Sequence, residues 1–391
     1  MDRFDVVIIG GGIHGAGAAQ AAAAAGHSVL LLEKNSLAYG SSSRSSKLIH
    51  GGLRYLESAQ FHLVYECLHE RHLLTRIAPE LVSLESFYIP VYETTSRSRL
   101  KLFSGLTLYA LLGGLKASTH FHVLNRKQWR SLDGLTQQGL KAVYQYYDGR
   151  TDDRALTHAV MHSAIELGAE SKIPAEFISA SCDHDNVHIT YMENAITKHC
   201  QASVLINAAG AWVNPVLQKI SPASPTMNID LVQGTHLVLD GLPVKHCFYF
   251  EAPQDKRAVF LLPWKSKTLL GTTETHFSGQ PENVSALQHE KDYLLDVARH
   301  YFPDSFTGNK TVNVVDEFAG LRVLPSGNKN DFNKPRDTVL YQSHARVVSI
   351  YGGKLTTYRL TAERLMKKLH KVLLAREVKA FTSNIKLIRQ T

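Results

Sequence analysis

"DVVIIGGGIHGAGAAQAAAAAGHSVLLLE", residues 5–33, indicates the fold class of this chain. A short apolar run ends at Ile9, a glycine-rich turn follows, and an alanine-rich stretch typical of a helix ends at Gly26. A second apolar run then ends at the acidic Glu33. Because short apolar runs without alternation are typical of buried parallel strands, the stretch predicts a strand–turn–helix–strand unit.

The turn in this unit has the spacing of a dinucleotide-binding fingerprint. Gly10, Gly12 and Gly15 form G-x-G-x-x-G between a predicted strand and a predicted helix. Such glycines let backbone N–H groups approach a pyrophosphate at the helix N-terminus. Glu33 can accept hydrogen bonds from ribose hydroxyls but would repel a 2′-phosphate, which favours FAD or NAD over NADP. The alternative is a glycine turn that only packs the helix on the strand.

Composition limits the classes to which the chain can belong. Its 391 residues are 44% hydrophobic and 20% charged, with a formal net charge of +8. This charge favours anionic partners, but the bases are dispersed, so we expect no nucleic-acid binding. Four cysteines without C-x-x-C spacing, and histidines without metal-ligand spacing, predict neither a disulfide framework nor a metal site. No run reaches the roughly 18 apolar residues of a membrane span, which predicts a soluble or peripheral protein.

The remaining sequence predicts an α/β chain whose second half is rich in strands. Apolar residues at helical spacing cover 58–77, 99–116 and 152–168, and a closing helix covers 355–378. From about Ala175 onward most segments before that helix are strand-like. Since no linker marks a boundary, we expect two domains that exchange segments.

Two later segments favour FAD over NAD. "INAAGAWV", residues 206–213, is a predicted strand that ends in small residues before an aromatic one. "SIYGGKLTTYR", residues 349–359, is a predicted strand followed by two glycines, a lysine and a helix start. A helix N-terminus against the flavin ring would stabilise the anionic reduced ring, and an NAD dehydrogenase has no need of this third element.

Six segments in this order carry a family resemblance. They are "DVVIIGGGIHGAGAA" (5–19), "SSSRSSKLIHGGLRYLE" (41–57), "NAAGAWV" (207–213), "FLLPW" with "LLGTTE" (260–274), "AGLRVL" (319–324) and "YGGKLTTYR" (351–359). The chain resembles the aerobic-type, FAD-dependent glycerol-3-phosphate dehydrogenases among the D-amino-acid-oxidase-like flavoproteins. The resemblance implies a Rossmann-like FAD-binding domain interleaved with a mixed, mostly antiparallel substrate sheet. We expect the first domain at 1–80, 145–215 and 340–391, and the second at 81–144 and 216–339.

The resemblance also implies a reaction. The family oxidises sn-glycerol 3-phosphate to dihydroxyacetone phosphate by hydride transfer to flavin N5, and passes the electrons to a membrane quinone. Three features depart from the family pattern. His14 stands where the family usually has asparagine, and Val323 where it usually has proline. The family's additional C-terminal helical domain is expected to be absent, since the sequence stops at Thr391.

We expect FAD to be held by the glycine turn, the serine-rich stretch and the later glycine segments. The predicted contacts are Gly10, Gly12, Gly15, Glu33, Ser41, Ser42, Ser45, Ser46, Lys47, Leu48, Ala175, Gly210, Trp212, Gly353, Lys354, Leu355 and Thr356.

The substrate phosphate calls for arginine, because a guanidinium group can bind two oxygens at once. Arg322 and Arg336 match the family's two arginines in the substrate sheet and are assigned to the phosphate, with Thr273 as a further donor. Arg54 and Tyr55 resemble the family's substrate-contacting pair. The alternative for each arginine is an ordinary surface ion pair.

Two histidines are candidates for the proton acceptor. His50 is the first candidate, since the pKa of histidine lies near working pH. It would either take the proton directly or orient Lys354 or a water. Lys354 is expected near the flavin and the substrate oxygen, and His236 is the second candidate.

A basic, apolar segment follows the first strands. Arg97, Arg99, Lys101 and Lys116 flank "LFSGLTLYALLGGL", residues 102–115. The segment fits a core helix or a helix on an anionic bilayer surface, and the quinone-linked family favours the second. We expect a cytoplasmic protein attached peripherally to the inner face of the cell membrane, with quinone as partner; a homodimer is left open.

Three other functions are alternatives. A related oxidase of an amino or hydroxy acid would use oxygen and one carboxylate-binding arginine. An RNA-associated flavoprotein would show a continuous basic stripe. A non-catalytic flavin-binding remnant would not need Arg54, Arg322, Arg336 and Lys354, which are all present.

Overall fold

A computed structural model describes residues 1–326 and 338–390, which form nineteen strands and eight α-helices. The strands are β1 (Asp2–Ile9), β2 (Val29–Leu32), β3 (Leu48–Ile49), β4 (Val82–Tyr92), β5 (His122–Val123), β6 (Leu140–Thr151), β7 (Glu170–Lys172), β8 (Ala175–Cys182), β9 (Val187–Glu193), β10 (Ile196–Asn207), β11 (Ile220–Ser221), β12 (Ile229–Asp240), β13 (Cys247–Glu251), β14 (Ala258–Trp264), β15 (Lys267–Gly271), β16 (Thr275–Phe277), β17 (Asn313–Pro325), β18 (Val339–His344) and β19 (Val347–Tyr351). The helices are α1 (Ile13–Ala24), α2 (Phe61–Ile77), α3 (Arg99–Leu112), α4 (Arg126–Trp129), α5 (Asp153–Glu166), α6 (Val213–Leu217), α7 (Gln288–Tyr301) and α8 (Tyr358–Leu369).

The predicted strand–turn–helix–strand unit is confirmed as β1, α1 and β2. Helix α1 is buried along nearly its whole length because its small side chains let α5 and α8 pack closely against it. A Cβ atom on Gly17 would lie only 2.7 Å from Cδ2 of Tyr358 in α8. The helix ends at Ala24, and the chain turns at Gly26, whose φ of +90° is unfavourable for other residues.

The first sheet has nine strands and a parallel centre in the order β19-β10-β1-β2-β7. Ile9 of β1 is in register with Asn207 of β10 and Leu32 of β2. Since parallel strands end at the same edge, the loops after β1, β10 and β19 meet there, which is where open α/β sheets bind ligands.

The second sheet has ten strands in the order β16-β12-β15-β14-β13-β4-β6-β3, with β17 on β12 and β5 on β6. Its pairings are antiparallel apart from β4 with β13. Helix α7 covers one face, where Leu294, Val297 and Tyr301 join a core with Leu237 and Phe248.

The chain passes between the two sheets four times. Strands β1–β2, β7–β11 and β18–β19 belong to the first sheet, and β3–β6 and β12–β17 to the second. This confirms the predicted α/β class with a Rossmann-like sheet interleaved with a mostly antiparallel one.

Two elements differ from the prediction. The closing helix ends at Leu369, well before residue 378, and the following segment returns to earlier helices. The backbone N–H groups of Lys379 and Leu387 donate to the carbonyls of Ala24 and Ile77, at the ends of α1 and α2, both at 2.8 Å. Helix α7 lies in the part of the chain for which only strands are predicted, although its buried residues Leu294, Val297 and Tyr301 have helical spacing.

Candidate active site

A cavity of about 460 Å³ is lined by residues of both sheets. One part of its wall comes from the loops after β1, β10 and β19. The other part comes from the second sheet and the turn after β3. Predicted site residues that line it are Gly10, Gly12, Glu33, Ser41, Ser42, Ser45, Ser46, Leu48, His50, Arg54, Tyr55, Ala175, Gly210, Trp212, His236, Arg322, Gly353, Lys354, Leu355 and Thr356.

The glycine turn leaves no room for side chains. Gly10 has a φ of +107°, and a Cβ there would lie 2.7 Å from the Ala208 carbonyl oxygen. A Cβ on Gly15 would lie 1.9 Å from the Gly10 carbonyl oxygen. Gly15 therefore does not line the cavity itself, but lets the helix backbone pack against the turn. The N-terminus of α1 therefore faces the cavity directly, as a dinucleotide site requires.

The carboxylate of Glu33 closes the same turn. Its two oxygens accept from Gly11 N and Asn35 N, both at 2.7 Å. Ala175 N in turn donates to the Glu33 carbonyl at 2.7 Å. These bonds fix the acid at the cavity wall.

Most serine hydroxyls of the stretch after β2 are bound within the protein. Ser42 Oγ accepts from Ile13 N at 2.9 Å, which caps α1 from a distant loop. Ser41 Oγ donates to the Leu321 carbonyl at 2.6 Å. Ser45 donates through its N–H and Oγ to Asp153 Oδ2, at 3.0 and 2.7 Å. The stretch is thus a folded loop with its backbone along the cavity.

Besides Gly15, two described residues that were predicted as contacts, Lys47 and Thr273, are not among the lining residues. Lys47 Nζ donates to Asp153 Oδ1 at 2.7 Å, and its side chain is 6% exposed. Thr273 Oγ1 donates to Glu290 Oε1 at 2.7 Å, while its neighbour Thr272 lines the cavity. The side chains of both residues are used inside the fold. Arg336 lies outside the described residues.

His14 is a partly exposed histidine beside the glycine turn, and both of its ring nitrogens are buried. Within residues 1–326 and 338–390, neither of its buried ring nitrogens has a hydrogen-bond partner. A Cβ on Gly353 would lie 2.1 Å from its Nε2, so only glycine fits opposite it. Burial, and next the positive charge of Lys354, lower the pKa of His14 to about 4. A neutral imidazole with unsatisfied nitrogens lines a cavity suited to a polar cofactor.

Arg54 and Arg322 reach one carboxylate from different parts of the chain. Arg54 Nη2 donates to Glu274 Oε1 at 3.1 Å, and Arg322 Nη1 lies 3.9 Å from the same oxygen. The Glu274 side chain is 5% exposed. Glu274 is absent from the predicted site, and its only sequence signal is an acid directly after G-T-T.

The turn after β3 and the loop after β19 face each other. Lys354 Nζ lies 4.9 Å from the centre of the Tyr55 ring. The centres of the His50 and Tyr55 rings are 6.0 Å apart. Thr356 Oγ1 is 3.4 Å from the His50 carbonyl oxygen. The helix start predicted here comes later, because α8 begins only at Tyr358.

His236 is buried in the second sheet. Its Nε2 lies 2.9 Å from Ser46 Oγ, and its ring stacks on Phe318 at 4.9 Å. Burial, then the charges of Arg322 and Lys47, hold the pKa of His236 well below its ordinary value. This histidine is therefore neutral at physiological pH.

Two kinds of feature are absent from the described ranges, a metal-binding cluster and a membrane-spanning helix. There, no group of three or more His, Cys, Asp or Glu side chains is arranged to hold a metal ion. No described helix is long and apolar enough to cross a bilayer.

Comparisons with known proteins show the family to which the chain belongs. Residues 5–359 match the family model described as "DAO: FAD dependent oxidoreductase". The chain is 34% identical over 383 residues to the aerobic glycerol-3-phosphate dehydrogenase of Staphylococcus saprophyticus, covering 94% of this chain and 67% of that protein. It is 34% identical over 375 residues to the D-erythritol 1-phosphate dehydrogenase of Brucella abortus, covering 94% and 74%.

Solved structures share the fold of this chain. The glycerol-3-phosphate dehydrogenase from Bacillus halodurans, complexed with FAD, superimposes with a TM-score of 0.77 at 28% identity, over 98% of this chain and 68% of that one. Glycine oxidase from Geobacillus kaustophilus shares the fold, with a TM-score of 0.73 at 18% identity over all of both chains. The chain therefore belongs to the DAO family of FAD-dependent oxidoreductases, and FAD is its cofactor.

Proposed function

We propose that this chain oxidises sn-glycerol 3-phosphate to dihydroxyacetone phosphate and passes the electrons to a quinone. The observation that carries the proposal is the pair Arg54 and Arg322, which converge on Glu274 at the wall of the cavity that also contains the dinucleotide turn. Two arginines at one point suit a phosphate, which offers more oxygens than a carboxylate.

The cofactor would be held along the first sheet. The N-terminus of α1 and the Ser41–Ser46 loop would bind the pyrophosphate, Glu33 the ribose, and Gly353–Thr356 the flavin end. His14 would give its unsatisfied nitrogens to the same ligand. When bound, FAD supplies a two-electron acceptor for the hydride.

The substrate would lie between the second sheet and the turn after β3. Arg322 and Arg54 would bind the phosphate. Arg336 is proposed, from the sequence alone, as a third arginine that binds it. Lys354 would hold the substrate oxygen, with its cation kept over the Tyr55 ring.

The proton of the C2 hydroxyl would pass to a ring nitrogen of His50. His236 is less suited, because its Nε2 is bonded to Ser46 and its burial disfavours the charged form. His50 lines the cavity next to Tyr55 and is only partly buried.

Another phosphorylated polyol is the second candidate substrate. The relative from Brucella abortus, named for D-erythritol 1-phosphate, is as similar in identity as the glycerol-3-phosphate dehydrogenases. The two arginines suit either phosphate. An amino-acid or hydroxy-acid oxidase is less well supported, since the glycine oxidase likeness concerns the fold alone.

Helix α3 supports a peripheral membrane site for the quinone reaction. Four large apolar side chains between residues 100 and 115 are exposed: Leu100 (76%), Phe103 (49%), Leu111 (55%) and Leu115 (59%). Arg99, Lys101 and Lys116 are exposed beside them. Apolar side chains flanked by bases suit an anionic bilayer surface.

Anaerobic addition of glycerol 3-phosphate to the yellow holoprotein tests the proposal. We expect the visible flavin absorption to bleach with glycerol 3-phosphate, and not with glycine or glycerol. Bleaching only with D-erythritol 1-phosphate would transfer the assignment to that substrate, and bleaching by glycine would contradict the phosphate site.

A further inference from the structure

The turn that carries His50 is held by a buried carboxylate on β6. Asp148 is 2% exposed. Its Oδ1 accepts from Gly51 N at 2.7 Å, from Arg71 Nη1 at 2.9 Å and from Tyr109 Oη at 3.3 Å. Donors from the turn, from α2 and from α3 therefore meet at one oxygen, at the wall of the cavity.

This contact continues a strand pairing. Leu48 and Ile49 of β3 lie opposite Arg150 and Gly149 of β6. Beyond Ile49 the chain turns away from β6. There the side chain of Asp148 accepts a hydrogen bond from the backbone N–H of Gly51. The carboxylate thus fixes the backbone on the far side of His50.

The turn has no space to move toward α2 and α3. A Cβ on Gly51 would lie 2.1 Å from Tyr109 Oη and 2.5 Å from Leu68 Cδ2. Gly52 adopts a φ of +80°, which directs the chain toward Tyr55. Only glycine therefore fits at position 51, beside the Tyr109 hydroxyl that donates to the carboxylate.

The other two donors are themselves fixed. Arg71 is 1% exposed and also donates to the carbonyls of Tyr147 and Ser118, at 2.6 and 2.8 Å. Burial, and next the charge of Asp148, raise the pKa of Tyr109 well above its ordinary value. Its hydroxyl therefore stays protonated and donates.

We propose that Asp148 is a positioning residue of the reaction centre, which holds the Gly51 amide and thereby sets the direction of His50. Arg71 and Tyr109 keep the carboxylate in place. The effect on turnover rests on the proposed function, because that function assigns the proton transfer to His50.

The test compares D148A, D148N and Y109F holoproteins with an E70Q control. Glu70 is also a buried carboxylate paired with an arginine, at 2.9 Å from Arg359, but it does not line the cavity.

We expect kcat to fall by about 100-fold in D148A, with KM changed less than about threefold, because a misplaced reacting group costs turnover more than binding. D148N keeps an acceptor for Gly51 N and should recover part of that loss. E70Q should lose thermal stability but keep kcat within about twofold, because Glu70 does not line the cavity.

Equal kcat values in D148A and E70Q at equal stability would overturn the proposal. If D148A does not fold, Y109F and D148N decide, and wild-type kcat in both would reject the role. The visible circular dichroism of bound FAD separates this proposal from the proposed function. It should change in D148A and not in E70Q even if glycerol 3-phosphate does not reduce the wild-type protein.

Discussion

Arg54 and Glu274 form an ion pair of 3.1 Å in which the carboxylate is almost completely buried. The two residues are 220 positions apart in the sequence. Arg322 approaches the same oxygen from β17. The carboxylate therefore holds two guanidinium groups from distant parts of the chain beside each other.

Replacing Glu274 should weaken phosphate binding. E274A removes the acceptor that Arg54 and Arg322 share, and a hydrogen bond to a charged group contributes about 1.5–3 kcal/mol. We expect KM for glycerol 3-phosphate to rise by about tenfold or more. E274Q should have a smaller effect, since it keeps an oxygen at Oε1. The exposed Glu317 supplies the control variant E317Q. A KM for E274A equal to that of E317Q would reject the alignment.

Arg322→Ala should chiefly reduce substrate affinity. Loss of one member of a buried charge pair costs roughly 2–5 kcal/mol. KM should therefore rise by at least about thirtyfold, with a smaller change in kcat. R322K keeps the charge without the planar fork and should restore only part of the affinity. Steady-state kinetics with a dye acceptor measures both constants, and an unchanged KM in R322A would contradict the clamp.

The glycine turn allows a paired test of cofactor binding. G15A places a Cβ 1.9 Å from a backbone oxygen that cannot move aside. Overpacking of this kind costs about 1–3 kcal/mol, and we expect it as weaker FAD binding. A Cβ added to Gly105 in α3 would meet no atom within 4 Å, so G105A should stabilise the protein by about 0.5–1 kcal/mol. Flavin fluorescence and thermal unfolding measure the two effects. Normal FAD affinity in G15A would contradict the prediction.

His236 should make the folded protein sensitive to acid. Its pKa is lowered in the folded state, first by burial and then by the charges of Arg322 and Lys47. The unfolded chain binds a proton near the ordinary value of about 6.5, and the folded chain does not. Stability contributed by the neutral ring is therefore present above that pH and is lost as pH falls below it.

Urea unfolding at pH 7.5 and 5.5 measures this effect. The free energy of unfolding should fall more between these two pH values in the wild type than in H236Q. The exposed His289 supplies the matched variant H289Q, which should behave like the wild type. Identical pH dependence in all three proteins would show that His236 does not carry the effect.

The exposed bases of α3 and of the turn that follows it should control binding to anionic vesicles. Each base near such a surface contributes about 1 kcal/mol, so R99Q, K101Q and K116Q together should weaken binding by roughly 3 kcal/mol. Arg97 is left out because it is buried between Glu57 and Glu251, at 2.9 and 3.0 Å. The exposed bases Lys141, Lys198 and Lys245 provide a triple control with the same charge change. Equal flotation of both triple variants would remove α3 from the membrane proposal.

Local sequence was sufficient to predict the elements on the cofactor side. The apolar runs, the alanine-rich helix and the three glycines each depend on neighbours in the chain, so periodicity and turn chemistry identified them. The same reasoning predicted the strand-rich second half and two domains that exchange segments, and the family resemblance implied the same interleaved sheets. Local sequence overextended the closing helix, which ends at Leu369; farther on, the backbone at Lys379 and Leu387 donates to carbonyls at the ends of α1 and α2.

Long-range packing, in contrast, determines which polar groups meet. Glu274 joins Arg54 and Arg322 because β17 and the turn after β3 approach the end of β15 in space. Lys47 is directed into Asp153 because burial of its ammonium requires a carboxylate partner. Such pairings depend on contacts between residues distant in the chain, for which composition, periodicity and spacing carry no signal.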